Sequence, residues 1–234
     1  MGALFITDWG SVPAEEALYR EACLCRAGTC GDAPRLYFWR ARHPAIVMGR
    51  GRDAEKDIYV HTALGDGVPV LVRASGGGTV FLISGDEDGH VLCVGVLLPL
   101  PGSDITGNPI REVFRAGLAP LVEGLGAMGI RAEIKGASDV VVGGRKIAGA
   151  AQARKRRAVL VHACVLVRTP VEDINRYIRH PEDEPEYRAG RRHRDFLTDV
   201  CSLTGLSVGK AESELAARVS ACFSESMVRE GAAF

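Results

Sequence analysis

The chain has 234 residues, 47% of them hydrophobic, enough for one large domain with a substantial core. Its 29 Lys and Arg balance 29 Asp and Glu, and this zero formal charge argues against a dedicated nucleic-acid binder. The longest apolar run, Val91 to Leu100, is far short of a membrane span, and Met1–Ile6 lacks a signal-peptide pattern, so a soluble cytoplasmic protein is expected.

Taken in order, Leu4–Ile6 is strand-like. Ser11 and Pro13 then form a cap and first-turn proline ahead of a helix over Glu15–Arg26. Leu36–Arg40 and Ala45–Met48 are apolar strands, Glu55–Val60 begins a helix, and Val68–Val72 is a strand entering Ser75-Gly76-Gly77-Gly78. Thr79–Ile83 resumes the strand, Gly85–Gly89 is an acidic loop, and Val91–Leu98 is apolar throughout, as a strand buried on both faces would be. Leu100–Pro109 is a loop. Ile110–Met128 has helical spacing, with Pro120 expected to kink or restart it. Ile130–Ile134 is a strand, Val171–Ile178 a helix, Pro181–Arg194 a charged loop and Glu212–Met227 an amphipathic helix. The absence of repeats or a low-complexity linker predicts one α/β domain over residues 1–234, rich in antiparallel strands, with its core in about 1–180 and a charged loop and helix over 181–234.

The seven cysteines are an odd number, scattered among apolar neighbours, and read as reduced thiols. Cys23, Cys25 and Cys30 lack the spacing and partner cluster of a zinc knuckle, so no metal site is expected.

Two segments carry candidate chemistry. In Ser138–Val167, Gly143-Gly144 between valine-rich runs signals a tight hairpin, because a primed turn needs positive φ at both central residues. Regular pairing then sets Val142 against Arg145, Val141 against Lys146, Val140 against Ile147 and Asp139 against Ala148. Lys146 and Asp139 become diagonal neighbours on one face, roughly 7–8 Å apart at Cα. A half-buried lysine can hold a developing negative charge, and Gly149, Ala150 and Ala151 keep volume low, as a slot for a thin ligand requires. A solvated lysine on an ordinary hairpin is the alternative. The second segment is Arg73–Val80, RASGGGTV. Its three glycines let a ligand approach the main chain, and Arg73 is placed to neutralise an anion; a flexible hairpin loop is the alternative here.

Together, RASGGGTV and Ser138–Gln152, SDVVVGGRKIAGAAQ, resemble the lipoate–protein ligase and octanoyl/lipoyl transferase family, and Ile46–Arg50 and Val161–Val167 extend the similarity over about Leu36–Val167. The resemblance implies the α/β catalytic fold shared with biotin ligases and class II synthetase-like domains. It implies that Lys146 holds the acyl carboxylate or carbonyl oxygen and, in ligases, the adenylate phosphate. It also implies that Gly76, Gly77 and Gly78 line the acyl and nucleotide channel, that Arg73 faces the anionic end, and that Asp139 positions nucleotide or Mg²⁺. Ser75, Ser138, Gly149, Ala151 and His162 complete the binding set. ATP and Mg²⁺ follow if the chain is a ligase, with lipoate or octanoate as acyl group and a lipoyl-acceptor protein domain as partner.

Several features depart from the family pattern. Val72 stands where many members carry a second arginine, and Ser84–His90 replaces the usual segment after the glycine loop. Only helix and loops follow Val167, where two-domain ligases carry an accessory domain, so an accessory partner protein is one expectation and transfer of a pre-activated acyl group another. Gly136-Ala137-Ser138 has no thiol where one transferase subtype carries its nucleophile. Cys164 lies on the strand face of His162, roughly 6.5 Å away at Cα, and reads as a core thiol. The lack of a nucleophilic thiol favours adenylate chemistry over a thioester intermediate. An ATP-independent octanoyl or lipoyl transferase and a non-catalytic acyl- or nucleotide-binding relative are the alternatives. Arg154–Arg157 is a solvated basic face or a steering patch for an acidic acceptor.

Overall fold

The computed structural model describes residues 4–27, 33–85, 89–99, 109–155 and 158–229. Seven strands form the main sheet: β1 (Phe5–Val12), β2 (Arg35–Ala41), β6 (His90–Pro99), β10 (Ala158–Arg168), β9 (Arg145–Lys155), β8 (Asp139–Val142) and β7 (Glu133–Lys135), in that spatial order. β1 pairs with β2 in parallel and every other neighbour is antiparallel. A second sheet sets β3 (Ala45–Met48) between β4 (Val70–Val72) and β5 (Val80–Leu82).

Alternation along β6 explains its composition. Leu92, Val94, Val96 and Leu98 enter a core shared with α4 (Ile110–Ala127), α7 (Val200–Thr204) and α8 (Val208–Arg229). Val91, Cys93 and Leu97 face α1 (Ala14–Ala27) on the opposite side. With both faces covered, the strand is apolar after its first residue, His90, which is buried in an ion pair with Glu212. Residues after 180 belong to the same core, because Val208, Ala211, Leu215, Val219 and Phe223 of α8 are buried in it. A third cluster joins the small sheet to α2 (Ala54–Asp57), α3 (Val60–Gly65), α5 (Val171–Tyr177) and α6 (His193–Phe196).

Three expectations are corrected. Pro120 does not restart α4, which runs through it as one helix; Gly117, Leu118, Leu121 and Gly124 around the proline are buried, and packing offsets the lost backbone bond. The final helix starts at Val208 rather than Glu212. The hairpin turn forms with Gly143 at φ 56 and Gly144 at φ 77, and Val142 and Val141 face Arg145 and Lys146 as expected, but a bulge follows. Val140 therefore faces Ala148, and Asp139 faces Gly149. The bulge lets Ile147 and Ala148 both enter the core, at 0% and 1% exposure, a gain that simple alternation forbids. Of the acidic loop, residues 86–88 lie outside the described residues, as do residues 100–108, Cys30, Arg156 and Arg157.

Candidate functional site

The bulge sets Asp139 opposite Gly149 instead of Ala148, and the long Lys146 side chain folds back over that glycine to meet it. Lys146 Nζ stands 2.7 Å from Asp139 Oδ1. Gly149 makes the bridge possible: a Cβ there would lie 2.7 Å from Lys146 Nζ and 2.8 Å from its Cε. Tyr187 donates its hydroxyl to Asp139 Oδ2 at 2.7 Å, and burial, reinforced by the carboxylate, pushes the phenol well above its ordinary value. The Lys146 main chain is held as well, its carbonyl accepting from Thr198 N at 2.9 Å. The charged segment over 181–194 thus carries a residue that fixes the carboxylate beside the lysine.

The triple-glycine loop is shaped by Arg73, which is 7% exposed. Its Nε donates to Ser75 Oγ at 2.9 Å, and its Nη2 donates to the Gly76 and Gly78 carbonyls at 2.6 and 2.7 Å. Burial lowers the guanidinium's pKa, partly offset by the fields of Cys164 and Glu21. Gly77 adopts φ +86, and a Cβ there would come within 2.9 Å of Arg73 Nη2. From below, Gly49 at the end of β3 lets the loop settle, since a Cβ on it would overlap the Gly77 oxygen at 2.0 Å. Asp57, held by Arg52, accepts from Thr79 at the far end of the loop.

Behind the loop runs a buried relay. Ser75 Oγ is 2.7 Å from His162 Nε2, His162 Nδ1 is 2.8 Å from Glu21 Oε2, and Trp39 Nε1 donates to Glu21 Oε1 at 3.2 Å. Burial disfavours the charged imidazole, but the charge and hydrogen bond of Glu21 outweigh it and raise the His162 pKa. The order Ser–His–carboxylate resembles that of a nucleophile. Ser75, however, is 3% exposed and lines neither cavity of the site, so the relay fixes the loop against the sheet.

These parts enclose two joined spaces. A narrow slot of about 130 Å³ is lined by Arg73, Gly77, Gly78, Ser138, Asp139, Lys146, Gly149, Ala151 and His162. Ser75 and Gly76, expected in the binding set, lie outside its lining. Sequence reading missed Glu21, Trp39, Leu18 and Cys93, which form the far end of the slot. They come from α1, β2 and β6, and no local pattern ties them to Lys146. Cys164 is corrected from core thiol to slot wall: it is half-buried and faces both spaces. The wider space, about 780 Å³, shares Gly77, Gly78, Asp139 and Lys146 with the slot and adds Arg50, Arg52, Arg179 and Arg188.

The slot floor follows one row of strand pairing. Asp139 on β8 faces Gly149 on β9, Gly149 faces Cys164 on β10, Cys164 faces Cys93 on β6, and Cys93 faces Trp39 on β2. The row runs from beneath Lys146 at one end to Trp39 at the other. Among the described residues no cluster of three or more metal-binding side chains occurs, and no helix is long and apolar enough to cross a membrane.

Fold and site define an α/β domain in which a lysine ammonium closes one end of an apolar slot and opens onto a wider, arginine-lined chamber. The chain belongs to the family described as the lipoyl protein ligase A/B catalytic domain, whose model matches residues 13–220. It is 25% identical over 215 residues to lipoate-protein ligase A subunit 1 of Thermoplasma acidophilum, covering 88% of this chain and 76% of that one. It is 26% identical over 237 residues to octanoyltransferase LipM of Symbiobacterium thermophilum, covering 89% and 81%. Of a putative lipoate-protein ligase A from Aeropyrum pernix, 31% identical over 134 residues, the match covers 57% of this chain and 47% of that protein. The fold is that of the bi-partite lipoate protein ligase of Thermoplasma acidophilum, with TM-score 0.75 at 23% identity, over 95% of this chain and 83% of that one. A lipoate-protein ligase A bound with ATP gives TM-score 0.73 at 23% identity, over 95% and 85%.

Proposed function

We propose that the protein is a lipoate–protein ligase that joins lipoate or octanoate to a lysine of a lipoyl-acceptor domain through an acyl-adenylate. The observation that carries this reading is the pair of joined spaces meeting at Lys146, an apolar slot on one side and a chamber lined by Arg50, Arg52, Arg179 and Arg188 on the other. A transferase acting on a pre-activated acyl group needs the slot but has no use for a second chamber, where Arg50 and Arg179 stand beside the Arg52–Asp57 and Arg188–Glu184 ion pairs and can engage a triphosphate.

In this reading the acyl carboxylate lies under Lys146 and attacks the α-phosphorus of ATP, and pyrophosphate leaves. The acceptor amine then attacks the acyl carbonyl and AMP departs. Lys146 is placed to stabilise the oxygen charge that grows in both steps, and Asp139 with Tyr187 keeps the ammonium over Gly149. The slot residues hold the chain extended and exclude water. Mg²⁺ would enter with the nucleotide, needing only one or two protein carboxylates besides phosphate oxygens, and Asp139 lies where the two spaces meet. The Thermoplasma relative is subunit 1 of a bi-partite ligase, which supports a second polypeptide as accessory partner in adenylation.

The octanoyltransferases among the relatives, together with Cys164 at the slot wall, favour the ATP-independent reading. To decide, the protein is incubated with octanoate, ATP·Mg²⁺ and a lipoyl domain, with and without an accessory subunit, and acceptor mass and pyrophosphate are followed. Acceptor modification with stoichiometric pyrophosphate is expected. Modification only from acyl-carrier donors would replace the ligase with the transferase.

A further inference from the structure

We propose that Cys93 and Cys164 form a thiol–disulfide exchange site in the slot floor, reactive toward a bound acyl ligand that carries a cyclic disulfide. The inference rests on the acyl-ligand reading above and adds a second chemistry to the same slot.

Placement is the first argument. The two cysteines are direct partners across β6 and β10, with sulfurs 4.0 Å apart. Directly opposed antiparallel residues have Cα atoms about 4.5–5.5 Å apart, within the range a disulfide spans, so side-chain rotation alone could close the bond. Both side chains line the slot. They also lie on the row that begins beneath Lys146. One and two strand spacings from Gly149 put them about 5 and about 10 Å along it. An extended chain with its carboxylate at Lys146 passes over both. In lipoate the two sulfurs are borne by the sixth and eighth carbons, toward the tail.

The two thiols are also unlike each other. The hydrogen bond with Cys93 lowers the Cys164 pKa against the cost of burial, and the positive fields of His162 and Arg73 lower it further. Cys93, at 4% exposure, is held high by burial. A thiolate-prone sulfur facing ligand, backed by a protonated partner, is the division of labour between an attacking and a resolving thiol.

The exchange balances. The Cys164 thiolate attacks one ring sulfur, the ring S–S bond breaks, and the expelled ligand sulfur takes up a proton. Cys93, deprotonated, attacks the Cys164 sulfur; the mixed disulfide breaks and the second ligand sulfur is protonated. Two protein thiols are oxidised to one disulfide while the dithiolane gains two electrons and becomes a dithiol. With dihydrolipoate in excess the same path runs backward.

The test uses reduced full-length protein, freed of reductant under argon and mixed with excess lipoate or octanoate. After acid quench, remaining thiols are alkylated with N-ethylmaleimide and the peptides mapped by mass. Lipoate should remove labelling from Cys93 and Cys164 together and yield their disulfide-linked peptides, while octanoate should leave both labelled. Cys93→Ser should stop at a lipoyl adduct on Cys164. Full labelling of both wild-type cysteines after lipoate, in protein whose melting temperature lipoate raises, overturns the proposal. Octanoyl transfer to an acceptor is measured on the same preparation. Transfer without the disulfide rejects the exchange site alone. A disulfide without transfer from any donor rejects the ligase and transferase readings and leaves the cysteine pair standing. Neither result rejects both.

Discussion

The triple-glycine loop and the β8–β9 hairpin each bring one cation to the same slot, and they use it in opposite ways. At the loop, the Arg73 guanidinium is turned into the protein and donates to Ser75 and to the carbonyls of Gly76 and Gly78. Its charge shapes backbone. At the hairpin, Lys146 reaches out over Gly149 and keeps one carboxylate partner, Asp139, at the junction of slot and chamber. Its charge stands where the proposed function places the ligand. Planar arginine with a fixed fork of donors suits the first task, and a compact ammonium on a flexible stem suits the second.

This contrast predicts different failures. Lys146→Ala should lower acceptor acylation about 100-fold or more while leaving thermal stability nearly unchanged, because the side chain is part-exposed and supports no core packing. Acceptor mass spectrometry and a melting curve check both halves; a large stability loss would erase the distinction between the two regions. Arg73→Ala should do the reverse first. It strands several buried carbonyls and is expected to cost about 3 kcal/mol, or roughly 6–12 °C in melting temperature, measured by calorimetry.

Gly149→Ala sharpens the hairpin side. The added methyl contests the space of the lysine ammonium, so activity should fall about tenfold with little change in stability, read as kcat against KM on the octanoate reaction. The smallest effect expected is a pH dependence at the relay behind the loop. Glu21 raises the folded-state pKa of His162 above the ordinary histidine value of about 6.5. The stabilisation from the charged imidazole is therefore complete below that ordinary value and is lost as pH climbs through the raised one. Urea midpoints should decline over this window in the wild type and stay flatter in His162→Gln. A midpoint that rises with pH there would reverse the assigned sign.

Local pattern made much of the site legible. Two glycines with positive φ set the hairpin, so the pairing of Val141 with Lys146 followed from the turn alone. From Val140 on the pattern failed, because the bulge that gathers Ile147 and Ala148 into the core is favoured by α4 and α8, which no local rule places there. Arg73 was legible as a cation beside glycines. Its inward direction was not, since that depends on carbonyls exposed by the loop's own path. Glu21 and Trp39 were invisible for a related reason: each looks like an ordinary member of its helix or strand, and only sheet order sets them beside His162.

The sequence by itself therefore determined the elements, the apolar double-faced strand β6, the hairpin turn and the cation–anion pair of Lys146 and Asp139, all set by periodicity and turn chemistry over a few residues. Tertiary structure alone decided the bulge that sets Asp139 opposite Gly149, the charged segment that brings Tyr187 onto Asp139, and the row in which Gly149, Cys164, Cys93 and Trp39 become neighbours. Those contacts join residues far apart in the chain. They form because core burial, acting over the whole sheet, fixes which strands lie side by side and in what register.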